Sequence, residues 1–195
     1  MTTARDKLLD AALARFDRDG AIGATLEEVR ADAGVSVGAL YHHFADKQAL
    51  ASALYVETLA GFQQGFLDVL GRSPTAELGI RATVGHTVSW GAAHPAQARL
   101  LFGGRGAADP QALAEINRDF FGRTSAWYAT HAFYGAVREL PFTLLASLWL
   151  GPSLEYLRHT SGGEPGDPDP LARTALADAA WAALGTASEK EFVNP

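Results

Sequence analysis

Apolar positions along this chain recur at intervals of three and four residues. Leu8, Leu9, Ala12, Leu13 and Phe16 mark one face of an amphipathic helix, with Gly20 as its stop. Thr25-Leu26-Glu27-Glu28 opens a second helix, because Thr at the N-cap and Glu three residues on satisfy each other's free backbone amides. That helix ends at Gly34. Ser36 caps a third, carrying Val37, Ala39, Leu40 and Tyr41, and Asp46 caps a fourth whose pattern continues to about Leu70. Three short helices thus precede one long one. Farther on, Ser73-Pro74 opens a helix to Ala93, and His94-Pro95 breaks it and starts a short one to Phe102. Gly103-Gly104-Arg105-Gly106 reads as a loop. Asp109-Pro110 starts a helix reaching at least Tyr134, and Pro141 starts another to His159 with a kink at Gly151-Pro152. Residues 161–170, SGGEPGDPDP, read as loop, and an alanine-rich helix from Leu171 to Leu184 ends at Gly185 before a polar tail. No stretch of alternating β-branched residues interrupts this series, so the fold class is all-α.

Composition narrows the function classes. The 195 residues include no cysteine, which removes disulfides, thiolate metal sites and thiol nucleophiles. No apolar run approaches the roughly 20 residues of a membrane helix, and the N-terminus lacks a signal-peptide pattern. The expected location is the cytoplasm. The scattered Ser, His and Asp residues form no nucleophile motif, and the loop around Arg105 lacks the strand-loop-helix context of a phosphate cradle, so neither an enzyme nor a cofactor is expected. The formal net charge of -6 runs against the basic balance of many nucleic-acid binders.

Ala33-Gly34-Val35-Ser36 joins helices two and three by a turn so short that the helices must cross steeply, as in a helix-turn-helix. Around that turn, Thr25-Leu26-Glu27-Glu28-Val29, Ala33 to Phe44 (AGVSVGALYHHF) and Asp46-Lys47-Gln48-Ala49-Leu50 closely resemble the N-terminal domain of TetR-family bacterial transcriptional regulators. The resemblance covers residues 5–54. Elsewhere the chain resembles the family only in being helical, similarly punctuated and of fitting length. It implies a homodimer with a helix-turn-helix DNA-binding domain, here residues 1–47, and a helical ligand-binding and dimerisation domain, residues 48–195.

On the matching positions, the resemblance implies that Thr25 and Ser36 meet phosphates, that Tyr41 and Lys47 grip the DNA backbone, and that Val37, Gly38, Ala39 and His42 face the bases. Leu40 and Phe44 are expected to pack inward. Two positions depart from the family pattern: Glu27 stands where a basic residue is common, and Arg30 where a small one is. From Val37 to His43 there is no Arg, Lys, Asn or Gln, so bidentate reading of purine edges is unavailable and thymine methyls are the expected targets of Val37 and Ala39.

In the larger domain, Thr83, His86, Thr87, Trp90 and His94 share one helix face that mixes aromatic surface with polar groups, as small-molecule pockets do. Phe62 and Phe66 are expected to face the same space, and Phe120, Phe121, Thr124, Trp127 and Tyr128 to offer a further wall. The expected ligand-binding set is therefore Phe62, Phe66, His86, Trp90, Phe121, Thr124 and Tyr128. Leu145, Leu148 and Trp149, with the small residues Ala175, Ala179 and Ala182, are expected at a dimer interface, with core packing inside one subunit as the alternative. The resulting expectation is a small-molecule-released repressor that binds a near-palindromic operator as a dimer. Its rivals are a regulator with no small ligand, and a helical-bundle binding protein or enzyme that has lost DNA binding.

Overall fold

A computed structural model of the chain describes residues 2–103 and 108–186. Arg105 and the tail from residue 187 lie outside the described residues. Ten helices follow one another among those described: α1 (Ala4–Gly23), α2 (Leu26–Ala33), α3 (Val37–His43), α4 (Lys47–Gly71), α5 (Ala76–Ala93), α6 (Pro95–Phe102), α7 (Pro110–Phe133), α8 (Phe142–Trp149), α9 (Gly151–Thr160) and α10 (Pro170–Leu184). Extended pairing among the described residues is limited to one antiparallel bridge, Val137 with Gly185.

Four N-caps form at the expected residues, whereas the helix expected to open at Ser73-Pro74 is capped by Thr75. Thr25 Oγ1 accepts from Glu28 N while Glu28 accepts from Thr25 N, and Ser36, Asp46 and Asp109 accept from Ala39 N, Ala49 N and Ala112 N. A further capping box, Thr3 with Asp6, starts α1 ahead of its apolar stripe. Gly20 leaves helical geometry at φ 73°, ψ 152°, yet helix resumes to Gly23, so the glycine breaks α1 instead of ending it. The kink expected at Gly151-Pro152 separates α8 from α9: Pro152 has no N–H to offer a preceding carbonyl, and the chain re-enters helix with proline in its first turn.

Two cores form. The small one gathers Leu8, Ala12, Val29, Leu40 and Phe44 with Leu50 and Leu54 from the first turns of α4. The large one gathers Phe66, Ile80, Val84, Phe120, Trp149 and Leu184 with their neighbours. α4 contributes to both, and α6 reaches back to the small core through Leu100.

One set of expectations needs correcting. Leu145 and Trp149, expected at a dimer interface, are 4% and 2% exposed and lie in the chain's own large core. Their spacing of four residues turns both to one side of α8, and Phe66, Tyr128 and Thr83 cover that side: the Trp149 ring lies 5.8 Å from Phe66 and 5.9 Å from Tyr128, and its Nε1 donates to Thr83 Oγ1 at 3.0 Å. Leu148 is half-buried, while Ala175, Ala179 and Ala182 line an exposed face of α10.

Candidate nucleic-acid interface and effector-binding residues

Local chemistry locks the turn between α2 and α3. Gly34 adopts φ 63°, ψ 33°, the left-handed region that a side chain disfavours, and its N–H returns to the end of α2. Arg30 clamps the same turn, donating from Nη1 to Val35 O at 2.7 Å and pairing with Glu27. The two departures from the family pattern are thus partners of each other, and the guanidinium holds the Glu27 carboxyl below the usual range. Their separation of three residues on one helix was a readable sign of the pairing.

The acids of this domain hold helices together. Arg15 on α1 donates twice to Asp32 on α2, at 2.5 and 2.9 Å, and also lies near Glu28 and Asp19. Hydrogen bonding to Arg15 lowers the Asp32 pKa, bonds from Thr25 lower that of Glu28, and Arg18 lowers that of Asp19. Arg5 pairs with Glu57 and lies 5.6 Å above the Phe44 ring, tying α1 to α4 and to the end of α3.

α3 divides into two faces. Leu40 and Phe44 are buried, as their spacing required, whereas Val37 and Tyr41 remain 53% and 58% exposed. Gly38, His42 and His43 are exposed beside them, and Ala39 is half-buried. An exposed valine and tyrosine at i and i+4 on a helix so short present an apolar strip for which the folded chain has no internal use. Ser36 accepts from Ala39 N at 3.1 Å, which leaves its hydroxyl proton for another acceptor. Thr25 is differently placed, because its hydroxyl and amide both donate to Glu28, at 2.7 and 2.9 Å. Lys47 donates to Ala24 O at 3.0 Å, anchoring the start of α4 to the chain entering α2.

The seven expected ligand-binding residues do not surround one space. Phe62, His86 and Trp90 form one group: Phe62 lies 6.1 Å from the His86 ring in stacked geometry and 5.0 Å from Trp90 edge-on. His86 fits there because Gly65 has no side chain; a Cβ at that position would stand 2.8 Å from the imidazole. Burial pushes the His86 pKa down against a hydrogen bond to the Phe62 backbone, and its Nε2 is buried with no partner among the described residues.

Phe66, Thr124 and Tyr128 belong instead to the large core. Phe66 lies 5.3 Å from Phe120, and Tyr128 spends its hydroxyl on Arg138 O at 2.7 Å. Thr124 Oγ1 is buried with no partner among the described residues. Phe121, expected in the same wall, is 40% exposed and meets Phe142 at 5.2 Å on the outer side. The correction has a simple cause: Phe120 and Phe121 are adjacent on a helix, about 100° apart, so when one faces the core the other cannot. A feature without a local signal is the buried Gln63, whose Nε2 donates to Asn117 Oδ1 at 2.8 Å across α4 and α7.

Two cavities open beside these groups. One, of 420 Å³ between α7 and α8, is lined by Tyr128, Ala132, Phe133, Leu140, Phe142 and Leu145, among others, with Glu139 as its only charged wall. Another, of 360 Å³ between α4 and α7, includes Gln63, Leu67, Ile116 and Phe120. Both fall within the range of small-molecule sites.

Residues 8–54 match the model of the bacterial regulatory proteins of the tetR family. Over nearly the whole chain, the fold is similar to that of a TetR family transcription regulator from Marinobacter aquaeolei VT8, with a TM-score of 0.79 at 19% identity, covering 93% of this chain and 95% of that one. A bacterial regulatory protein in the tetR family from Rhodococcus RHA1 is similar at a TM-score of 0.70 and 21% identity, over 96% and 100% of the two chains. FadR from Bacillus subtilis, a transcriptional regulator solved in complex with stearoyl-CoA, is similar at 0.73 and 16% identity, over 90% and 95%.

Proposed function

We propose, from a helix-turn-helix of the tetR family set in a chain with the fold of that family's regulators, that this protein is a ligand-responsive transcriptional repressor. It binds a near-palindromic operator as a homodimer, reads DNA with residues 1–47 and binds effector and partner with residues 48–195. The observation that carries this reading is the exposed strip of Val37 and Tyr41 on a helix whose opposite face is locked into a core. Val37 and Ala39 meet thymine methyls, Tyr41, His42 and the Ser36 hydroxyl fix the register on the backbone, and Lys47 braces the start of α4 while adding charge nearby. Gly38 lets the helix approach closely. Thr25 contributes to phosphate binding through its position at the start of α2, although Glu28 competes for its hydroxyl.

The exposed alanine face of α10, with Leu148 of α8, supports a two-fold pairing of these helices across the dimer. Two recognition helices then engage half-sites roughly 34–36 Å apart. The effector acts through α4, whose first turns belong to the small core and whose last turns belong to the large one. A ligand that prefers one arrangement of the large core shifts the separation of the half-sites by its differential affinity. The cavity between α7 and α8 is the proposed mouth of the effector site, and the fold likeness to FadR makes acyl-CoA thioesters the first effectors to try. Among the described residues no helix is long and apolar enough to cross a membrane, and the reading calls for no catalysis.

A mobility shift against DNA flanking the protein's own coding region tests the reading. Binding by the wild type and its loss in Tyr41→Ala, with an unchanged melting temperature, is the expected result. Equal binding of wild type and Tyr41→Ala, or none by either, overturns it.

A further inference from the structure

A cavity of 310 Å³ opens at the seam between the two cores, apart from the grooves along α7. Its walls come from α1, α4, α5 and α6, so it is bounded by both the DNA-binding and the larger domain. One side is aromatic: Phe62 lies 5.0 Å from Trp90, and Trp90 is stacked on His94 at 5.2 Å. The lining also carries carboxylates from Asp6, Asp10 and Glu57.

These acids are not equivalent. Asp6 accepts from Thr3 N in the cap of α1, and Glu57 is paired with Arg5. Asp10 makes no hydrogen bond or ion pair among the described residues, although it stands one turn from Asp6 on the same side of α1. An unpaired carboxylate in one cavity with indole and phenyl surface suits a positive charge on an apolar body. The aromatic quadrupoles attract the cation, the carboxylate neutralises it, and Leu9 and Leu54 supply apolar wall for the remainder. An anion would meet three carboxylates, and a neutral apolar molecule would leave Asp10 without a partner. The volume stands at the lower end of small-molecule sites.

We infer that the seam cavity is a second ligand site, distinct from the effector pocket of the larger domain, and that it takes a small organic cation such as an aryl or alkyl ammonium. Asp10 supplies the counter-charge and Trp90 the aromatic face. A ligand held there contacts both domains and braces α1 against α4, α5 and α6.

Isothermal titration calorimetry of the full chain with benzyltrimethylammonium, with benzyl alcohol as the uncharged comparator at equal ionic strength, tests the site without reference to DNA. The cation is expected to bind saturably at one site per chain and the alcohol not to bind. Asp10→Asn should weaken the cation about threefold and Trp90→Leu about tenfold, while Glu139→Gln, in the groove between α7 and α8, leaves it unchanged. Absence of cation binding up to millimolar concentration, equal binding of the alcohol, or unchanged affinity in Asp10→Asn overturns the inference. Asp10 is exposed, so that variant decides the matter even if Trp90→Leu fails to fold. Operator binding measured with and without the cation then separates the two readings: a cation that binds to a chain with no operator affinity leaves the site standing and removes the regulator.

Discussion

Arg99 on α6 holds Asp17 on α1 through two parallel hydrogen bonds, Nε to Oδ1 and Nη2 to Oδ2, each 2.6 Å long. The pair joins elements separated by 82 residues, and its guanidinium pKa is raised by that bonding. α6 follows directly on α5, and α1 contributes to the small core, so this contact is a further link between the two cores beside α4. Both side chains are partly exposed, and the pair stabilises the fold by only about 0.5–1 kcal/mol. Its larger consequence is for coupling. In Arg99→Leu and Asp17→Asn the melting temperature should change little, while the effect of an effector on operator affinity should shrink several-fold. Operator titrations with and without ligand measure this; full response in both variants would assign the coupling to α4 alone.

Gly38 offers a test of close approach to DNA. A Cβ built there meets nothing within 4 Å, so Gly38→Ala is free of steric cost in the folded chain. The substitution should leave stability equal or raise it by about 0.5 kcal/mol, and it should lower operator affinity because the added methyl stands between α3 and the groove. Denaturation and operator titration on the same protein separate the two effects. A variant that binds as well as the wild type would show that the helix does not approach through this position.

Ala179 lies at the centre of the exposed small-residue face of α10. Replacing it with arginine puts a long charged side chain where two helices are proposed to meet, and leaves the chain's own core untouched. Sedimentation velocity should show wild-type dimer and Ala179→Arg monomer at micromolar concentration, with operator affinity lost in parallel. A variant that stays dimeric would move the interface elsewhere.

His86 makes stability depend on pH. Burial lowers its pKa from the ordinary 6.5, so the folded chain binds fewer protons than the unfolded chain in the range just below that value. The group's contribution is therefore complete above pH 6.5 and is lost as the pH falls through the folded value. Unfolding measured between pH 7.5 and 5 (a range on the order of that over which an imidazole titrates) should show wild-type stability falling with acidification, and His86→Gln should show a shallower fall. Equal slopes would mean that the imidazole is hydrated in the folded chain. At lower pH a second decline is expected as Asp32, Glu28 and Asp19, all held below their usual values by partners in the folded domain, take up protons.

The N-terminal segment from α1 to α3 was the more legible in sequence because its determinants are local. The Thr25 and Ser36 caps, the left-handed Gly34 and the inward Leu40 and Phe44 each follow from residues within one turn of each other. Glu27 and Arg30 each depart from the pattern that the sequence resembles, and their pairing accounts for both. The large core was less legible, for a reason that Phe120 and Phe121 illustrate: periodicity says that two aromatics differ in direction, but which of them faces inward depends on where α4 and α8 lie.

The apolar spacing, caps and turn residues were enough to specify nine helical segments, their approximate ends and the helix-turn-helix, since these depend on contacts a few residues apart; the tenth helix arises because the segment from Pro141 to His159 divides into α8 and α9. They could not specify partners distant along the chain. Trp149 reads as surplus apolar surface until Thr83 and Phe66 cover it, Arg99 reads as a solvated charge until Asp17 meets it, and Asp10 reads as one acid among many until Trp90 is found across the seam. Such pairings are decided by how the helices stack, because burial and charge compensation belong to the packed assembly and not to any single helix.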